Sequence, residues 1–128
     1  MSNKVICIVD DDPIYQILIN KIIALSKTEC EIMRFKNGKE ALDYFTLDSD
    51  KNLPEIILLD LEMPIMDGWD FMLEIDQIVT QKTAIYIVSS SISYEDREKA
   101  KTFTKIKGYF SKPISSNNIL EITKHFDK

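Results

Sequence analysis

The chain has 128 residues, 45% of them hydrophobic and 29% charged, with a formal net charge of −5. One domain of ordinary size with a real core fits these numbers. Disorder, a membrane span of roughly 20 apolar residues and the basic face of a nucleic-acid binder do not. Met1-Ser2-Asn3-Lys4 runs straight into strand-like residues, without the long apolar region of a signal peptide. The expectation is a single cytoplasmic domain over residues 1–128, with no output domain and no membrane contact.

In chain order, Val5–Val9 is a continuous apolar run, as expected of a strand buried on both faces of a parallel sheet. It ends in Asp10-Asp11-Asp12-Pro13, which cannot continue a buried strand; Asp12 suits a helix N-cap and Pro13 the first helical turn. Ile14, Leu18, Ile22 and Leu25 then recur at helical spacing and predict an amphipathic helix ending near Ser26. Glu31–Phe35 alternates as a short strand, Asn37-Gly38 turns, and Ala41, Leu42 and Phe45 give a helical stripe. Asp48–Asn52 reads as a polar loop. Ile56–Leu59 is a third strand that delivers Asp60 at its end. Asp67-Gly68 precedes a helix to about Ile78, with Phe71, Met72 and Ile75 inward. Thr83–Val88 is a fourth strand running into Ser89-Ser90-Ser91, and Tyr94–Thr102 is a charged helix. Gly108–Ser111 is a short fifth strand broken by Lys112-Pro113, and Ile119, Ile122 and Phe126 mark a terminal helix. Cys7 and Cys30 read as small buried hydrophobes in a reducing compartment, no Cys/His spacing suggests zinc, and His125 reads as a surface residue.

Strand–helix alternation with short links predicts an α/β domain, a parallel sheet with helices on both faces. Ligands of such sheets bind beyond the carboxyl ends of the strands. Asp10 and Asp11, Asp60, Ser89 and Lys112 all follow strands, so carboxylates, a hydroxyl and an ammonium converge on one edge. Carboxylates a few Å apart repel by roughly 4 kcal/mol per pair at an effective dielectric of about 20. A hard cation relieves this, and oxygen-only donors suit Mg²⁺, which takes carboxylates together with phosphate oxygens. Asp60 is then left as a nucleophile that forms an aspartyl-phosphate, with Lys112 and the Ser89 hydroxyl on the phosphoryl oxygens. Taken singly, each of these acids is an ordinary cap or turn residue; their shared edge carries the reading. Asp12 stays a cap, and Trp69 and Tyr109 taken alone read as packing.

Four stretches in order, Val9-Asp10-Asp11-Asp12-Pro13, Leu59-Asp60 through Asp67-Gly68, Val88-Ser89-Ser90 and Tyr109-Phe110-Ser111-Lys112-Pro113, resemble the receiver domain of two-component response regulators over essentially the whole chain. The resemblance implies a doubly wound (βα)5 sandwich of the flavodoxin-like kind with strand order 2-1-3-4-5. It implies that Asp60 accepts a phosphoryl group from a sensor histidine kinase or phosphotransfer protein. Asp10, Asp11, Asp60 and the Glu62 backbone carbonyl would hold Mg²⁺. Lys112 would pair with the phosphoryl group, next to a cis bond to Pro113. Ser89 and Tyr109 would form the switch, and the surface of the fourth helix, fifth strand and fifth helix would meet a downstream protein or a second copy of the chain. Such a protein is a signalling switch and not a turnover enzyme; a phosphorelay intermediate or phosphate sink is the alternative. A slip of one residue would put Ser90 in the place of Ser89, the first polar residue after Val88. Lys105 stands where the family usually has glycine, so the fourth helix is expected to end differently. A phosphohydrolase with an aspartyl nucleophile would carry a second aspartate at position 62, where this chain has Glu62. A phosphorylation-independent adaptor would have no use for a complete acid pocket.

Overall fold

The computed structural model describes residues 4–47, 53–91 and 93–127. Strands β1 (Val5–Val9), β2 (Glu31–Phe35), β3 (Ile56–Leu59), β4 (Ala84–Ser89) and β5 (Ile106–Ser111) alternate with helices α1 (Pro13–Leu25), α2 (Gly38–Leu47), α3 (Gly68–Ile75), α4 (Tyr94–Ala100) and α5 (Ser116–Thr123), and a 3₁₀ turn, Lys124–Asp127, closes the series. The strands pair in parallel in the order β2-β1-β3-β4-β5, the flavodoxin-like arrangement expected. The polar loop expected at Asp48–Asn52 lies outside the described residues.

β1, β3 and β4 are buried along their whole length, because helices cover both faces of the sheet; this is why they read as unbroken apolar runs. Val9, Leu59 and Ile87 face a core shared with Ala41 and Phe45 of α2 and Phe71 and Ile75 of α3. Ile8, Leu58 and Val88 face the opposite core, shared with Ile19 and Ile23 of α1 and Ile119 and Ile122 of α5.

The inward face of α1 differs from the expected stripe. Tyr15, Gln16, Ile19 and Ile23 are buried, whereas Ile14, Leu18 and Leu25 are 77%, 40% and 72% exposed. The helix is apolar almost all round, with Lys21 its single charged residue, so hydrophobicity does not choose between two neighbouring stripes. Polar contacts accompany the observed rotation. The Asp12 carboxylate accepts the Ile14 and Tyr15 N–H groups as N-cap. The buried Gln16 amide donates to the Asp10 and Phe35 carbonyls at 2.7 and 2.9 Å, which locks the first turn onto the sheet edge.

The other boundary differences lie around Lys105. α3 stops at Ile75 and not near Ile78, α4 stops at Ala100 and not Thr102, and β5 begins at Ile106, earlier than expected. Among the described residues the non-glycine positions with positive φ are Lys27 and Ile65, so Lys105 does not take up the left-handed conformation that favours glycine. Its ammonium instead reaches beneath α3, where it donates to the carbonyls of Asp76 and Val79 and lies 3.6 Å from the Asp76 carboxylate. Carbonyls left unpaired beyond a helix end attract a cation in this way.

Candidate functional site

The ladders on both sides of β1 extend one residue past the strands: the Asp60 N–H after β3 donates to the Val9 carbonyl of β1, and the Asp10 N–H after β1 to the Phe35 carbonyl of β2, each at 3.0 Å. Both acids are thereby held by backbone at the carboxyl edge. Asp10 is 3% and Asp60 4% exposed, while Asp11 projects into solvent. One carboxylate oxygen from each of Asp10, Asp11 and Asp60 lies within 4.8 Å of the others. Lys112, just beyond β5, places its ammonium 2.9 Å from Asp10 Oδ2 and 3.6 Å from Asp60 Oδ2. Asp12, expected as a cap, is the α1 N-cap, and its N–H donates to Asp10 Oδ1 at 2.9 Å.

This crowding shapes the titration of the site. Burial, with the Asp10 charge second, pushes the Asp60 carboxyl up from 3.8 to about 6, against the pull of Lys112 and of the Glu62 backbone N–H. Burial also raises Asp10, in spite of its bonds to Lys112 and to the Asp12 N–H. For Lys112 burial works against the ammonium, but the hydrogen bond and charge of Asp10 and the charge of Asp60 outweigh it and hold the group above its usual range. The lysine is therefore a permanent cation in the pocket.

Gly68 sets the floor. Its N–H donates to the Leu61 carbonyl at 2.8 Å, and a Cβ there would lie 2.5 Å from the Asp60 carbonyl and 2.7 Å from Leu61 Cα. Only glycine permits this approach. Between them the Met66 N–H donates to the Pro64 carbonyl at 2.7 Å across Ile65, whose φ is 70°. A β-branched residue there is strained, and its side chain is 78% exposed.

Ser89 closes β4, fully buried, and its Oγ accepts the Ser91 N–H at 3.1 Å; Ser90 is exposed. Tyr109 stands apart from the acids. Its hydroxyl donates to the Ser91 carbonyl at 3.1 Å, and the Arg97 guanidinium lies 4.6 Å from its ring centroid. Glu62 is exposed.

Sequence reasoning missed a polar chain beyond Ser89. The Ser91 hydroxyl donates to Asp96 Oδ2 at 2.6 Å, and the Trp69 indole N–H to Asp96 Oδ1 at 2.9 Å. These two bonds hold the Asp96 carboxyl below its usual range. The Trp69 ring stacks on Phe103 at 6.2 Å. The path Ser89–Ser91–Asp96–Trp69 thus joins the end of β4 to α4 and α3. Ser93 three residues before Asp96 is a legible cap pattern, but nothing local pairs Trp69 with Asp96, 27 residues away. Tyr15, beneath Lys112, was missed as well, since an aromatic at the start of a helix reads as core.

The donor set fits a hard dication. The cluster offers oxygen atoms alone, from Asp10, Asp11 and Asp60, and the ammonium beside it offsets only one of these charges. Mg²⁺ prefers such ligands and retains waters for the remainder of its shell.

A parallel sheet in this order, with an acidic cluster at its carboxyl edge, defines a flavodoxin-like α/β protein. The chain belongs to the response regulator receiver domain family, which its sequence matches over residues 6–124. It is 26% identical over 126 residues to sporulation initiation phosphotransferase F of Bacillus subtilis, covering 98% of this chain and 95% of that protein. It is 28% identical over 119 residues to the chemotaxis protein CheY of Halobacterium salinarum, covering 92% of each. A two-component response regulator from Cytophaga hutchinsonii superposes over 100% of both chains with a TM-score of 0.88 at 25% identity. Receiver domains are signalling proteins of two-component systems whose acidic pocket binds Mg²⁺ and which interact with histidine kinases or phosphotransfer proteins. Among the described residues no helix is long and apolar enough to cross a membrane.

Proposed function

We propose that this receiver takes a phosphoryl group onto Asp60 from the phosphohistidine of a sensor histidine kinase or phosphotransfer protein in the cytoplasm, and signals through a change in the surface formed by α4, β5 and α5. The observation that carries the reading is a buried Asp60 carboxylate held with Asp10, Asp11 and Lys112 in one pocket. An Asp60 oxygen attacks phosphorus as the donor's N–P bond breaks, and the leaving imidazole keeps the bonding pair and takes a proton from solvent. Asp10, Asp11, Asp60 and the Glu62 backbone carbonyl would hold Mg²⁺, which when bound offsets the charge of the phosphoryl oxygens. Lys112 is near enough to exchange its contact with Asp10 for a phosphoryl oxygen.

Signalling then runs through Ser89. A hydroxyl that turns to the phosphoryl oxygen gives up the Ser91 N–H, and Ser91 carries the carbonyl that Tyr109 binds and the hydroxyl that Asp96 binds. Tyr109 also lines a groove of about 430 Å³ between α4 and β5 with Tyr94, Arg97, Lys101 and Lys107, the surface for a downstream protein or a second copy. For the donor, α1 offers Ile14, Ile17 and Leu18, exposed in the turns that start beside Asp10 and Asp11.

The test is intact-protein mass spectrometry with phosphoramidate and Mg²⁺. One phosphoryl group is expected on the wild type and none on Asp60→Asn; full labelling of Asp60→Asn overturns the assignment. Asp11→Ala should weaken Mg²⁺ binding at least tenfold, about 1.4 kcal/mol, while Asp12→Ala leaves it in place; equal affinities contradict the ligand set. Full-length likeness to a protein named a phosphotransferase favours a second reading, a relay intermediate. Transfer from phosphorylated Asp60 onward to a histidine phosphotransfer protein, faster than hydrolysis, selects it.

A further inference from the structure

Tyr15 lies in the first turn of α1, 7% exposed, and the phosphoryl chemistry above makes no use of it. Its ring faces Lys112, whose ammonium nitrogen is 4.3 Å from the ring centroid. Its hydroxyl accepts the Ile114 N–H at 3.1 Å, a bond between residues 99 apart in sequence. One side chain thus grips the segment after β5 twice: at the ammonium of Lys112 and at the backbone two residues on.

We propose that Tyr15 is the positioning residue for Lys112, and this rests on the reading that Asp60 accepts a phosphoryl group. Among the described residues, Asp10 at 2.9 Å, Asp60 at 3.6 Å and the Tyr15 ring at 4.3 Å surround the ammonium. When Asp10 turns to a metal ion and Asp60 to phosphorus, both carboxylates release the ammonium. The ring does not. A neutral π face attracts an ammonium without neutralising it and without competing for a cation. It therefore keeps Lys112 over the pocket while the lysine exchanges Asp10 for a phosphoryl oxygen. A long flexible side chain without that support would spend its time in other rotamers. Phenylalanine retains the face that does this; leucine fills the core but removes it.

The experiment compares Tyr15→Phe, Tyr15→Leu, Lys112→Ala and the double variant Tyr15→Leu/Lys112→Ala at saturating Mg²⁺, by the initial rate of phosphorylation from phosphoramidate. Tyr15→Phe should stay within about threefold of wild type, and Tyr15→Leu should be about tenfold slower, the scale set by a desolvated cation–π contact. In the Lys112→Ala background Tyr15→Leu should cost nothing further. The same tenfold loss with and without Lys112, or a full rate in Tyr15→Leu, overturns the proposal. A second readout needs no phosphorylation. The Lys112 Cε protons should show a ring-current upfield shift by NMR in wild type and Tyr15→Phe, and its absence from wild type overturns the proposal even where Tyr15→Leu fails to fold. If wild type takes up no phosphoryl group while the ring-current shift is present, the reading of Asp60 fails and the Tyr15–Lys112 contact stands.

Discussion

Asp60 binds its proton more tightly in the fold than in the unfolded chain, since burial and the Asp10 charge move its carboxyl from 3.8 to about 6. Protonation therefore stabilises the fold. The contribution is fully present below the ordinary carboxylate range and is lost as pH rises through about 6. In the presence of a chelator, urea denaturation should show stability falling by on the order of 2 kcal/mol between pH 4 and pH 8 from this group. Asp60→Asn should flatten that slope and exceed wild type in stability at pH 8; a wild-type slope in Asp60→Asn contradicts the assignment. At Gly68 the same carboxylate depends on a missing atom. A Cβ would strike the Asp60 carbonyl, so Gly68→Ala should cost about 3 kcal/mol or shift Asp60 and lose Mg²⁺ affinity.

At the scale of elements, α1 carries two apolar stripes and buries one. Ile23→Ala on the inner face should cost about 3 kcal/mol in urea denaturation, while Ile14→Ser on the outer face should change stability by less than about 0.5 kcal/mol. Ile14→Ser should nonetheless slow transfer from a protein donor and leave phosphorylation by phosphoramidate untouched. Equal effects on both donors would remove α1 from the donor surface. Lys105 joins two elements through its side chain. It ties the start of β5 to the carbonyls beyond α3, so Lys105→Met should cost about 1–2 kcal/mol without affecting Mg²⁺ binding.

For the whole molecule, the acids of the pocket repel one another until a dication enters. Mg²⁺ should therefore raise the melting temperature, by the equivalent of about 2.7 kcal/mol at a hundred times its dissociation constant, and Asp11→Ala should abolish most of the rise. An unchanged melting temperature in wild type would argue against the site. Trp69 is the molecule's one tryptophan, and its indole is bound to Asp96, which holds Ser91 beside Ser89. Phosphorylation should alter its fluorescence through that path, and Asp96→Asn should diminish the change.

Alternation of apolar runs and helical stripes determined the doubly wound fold, because period and segment length are local properties. The carboxyl-edge rule then brought Asp10, Asp11, Asp60 and Lys112 together, since it depends only on where strands end. Tertiary structure alone decided which stripe of α1 faces inward, because both are apolar and the choice falls to Gln16 and the Asp12 cap. It alone joined Trp69 to Asp96, Lys105 to α3 and Tyr15 to Lys112. Each of these contacts joins residues far apart in the chain, and no local preference encodes a partner at that distance.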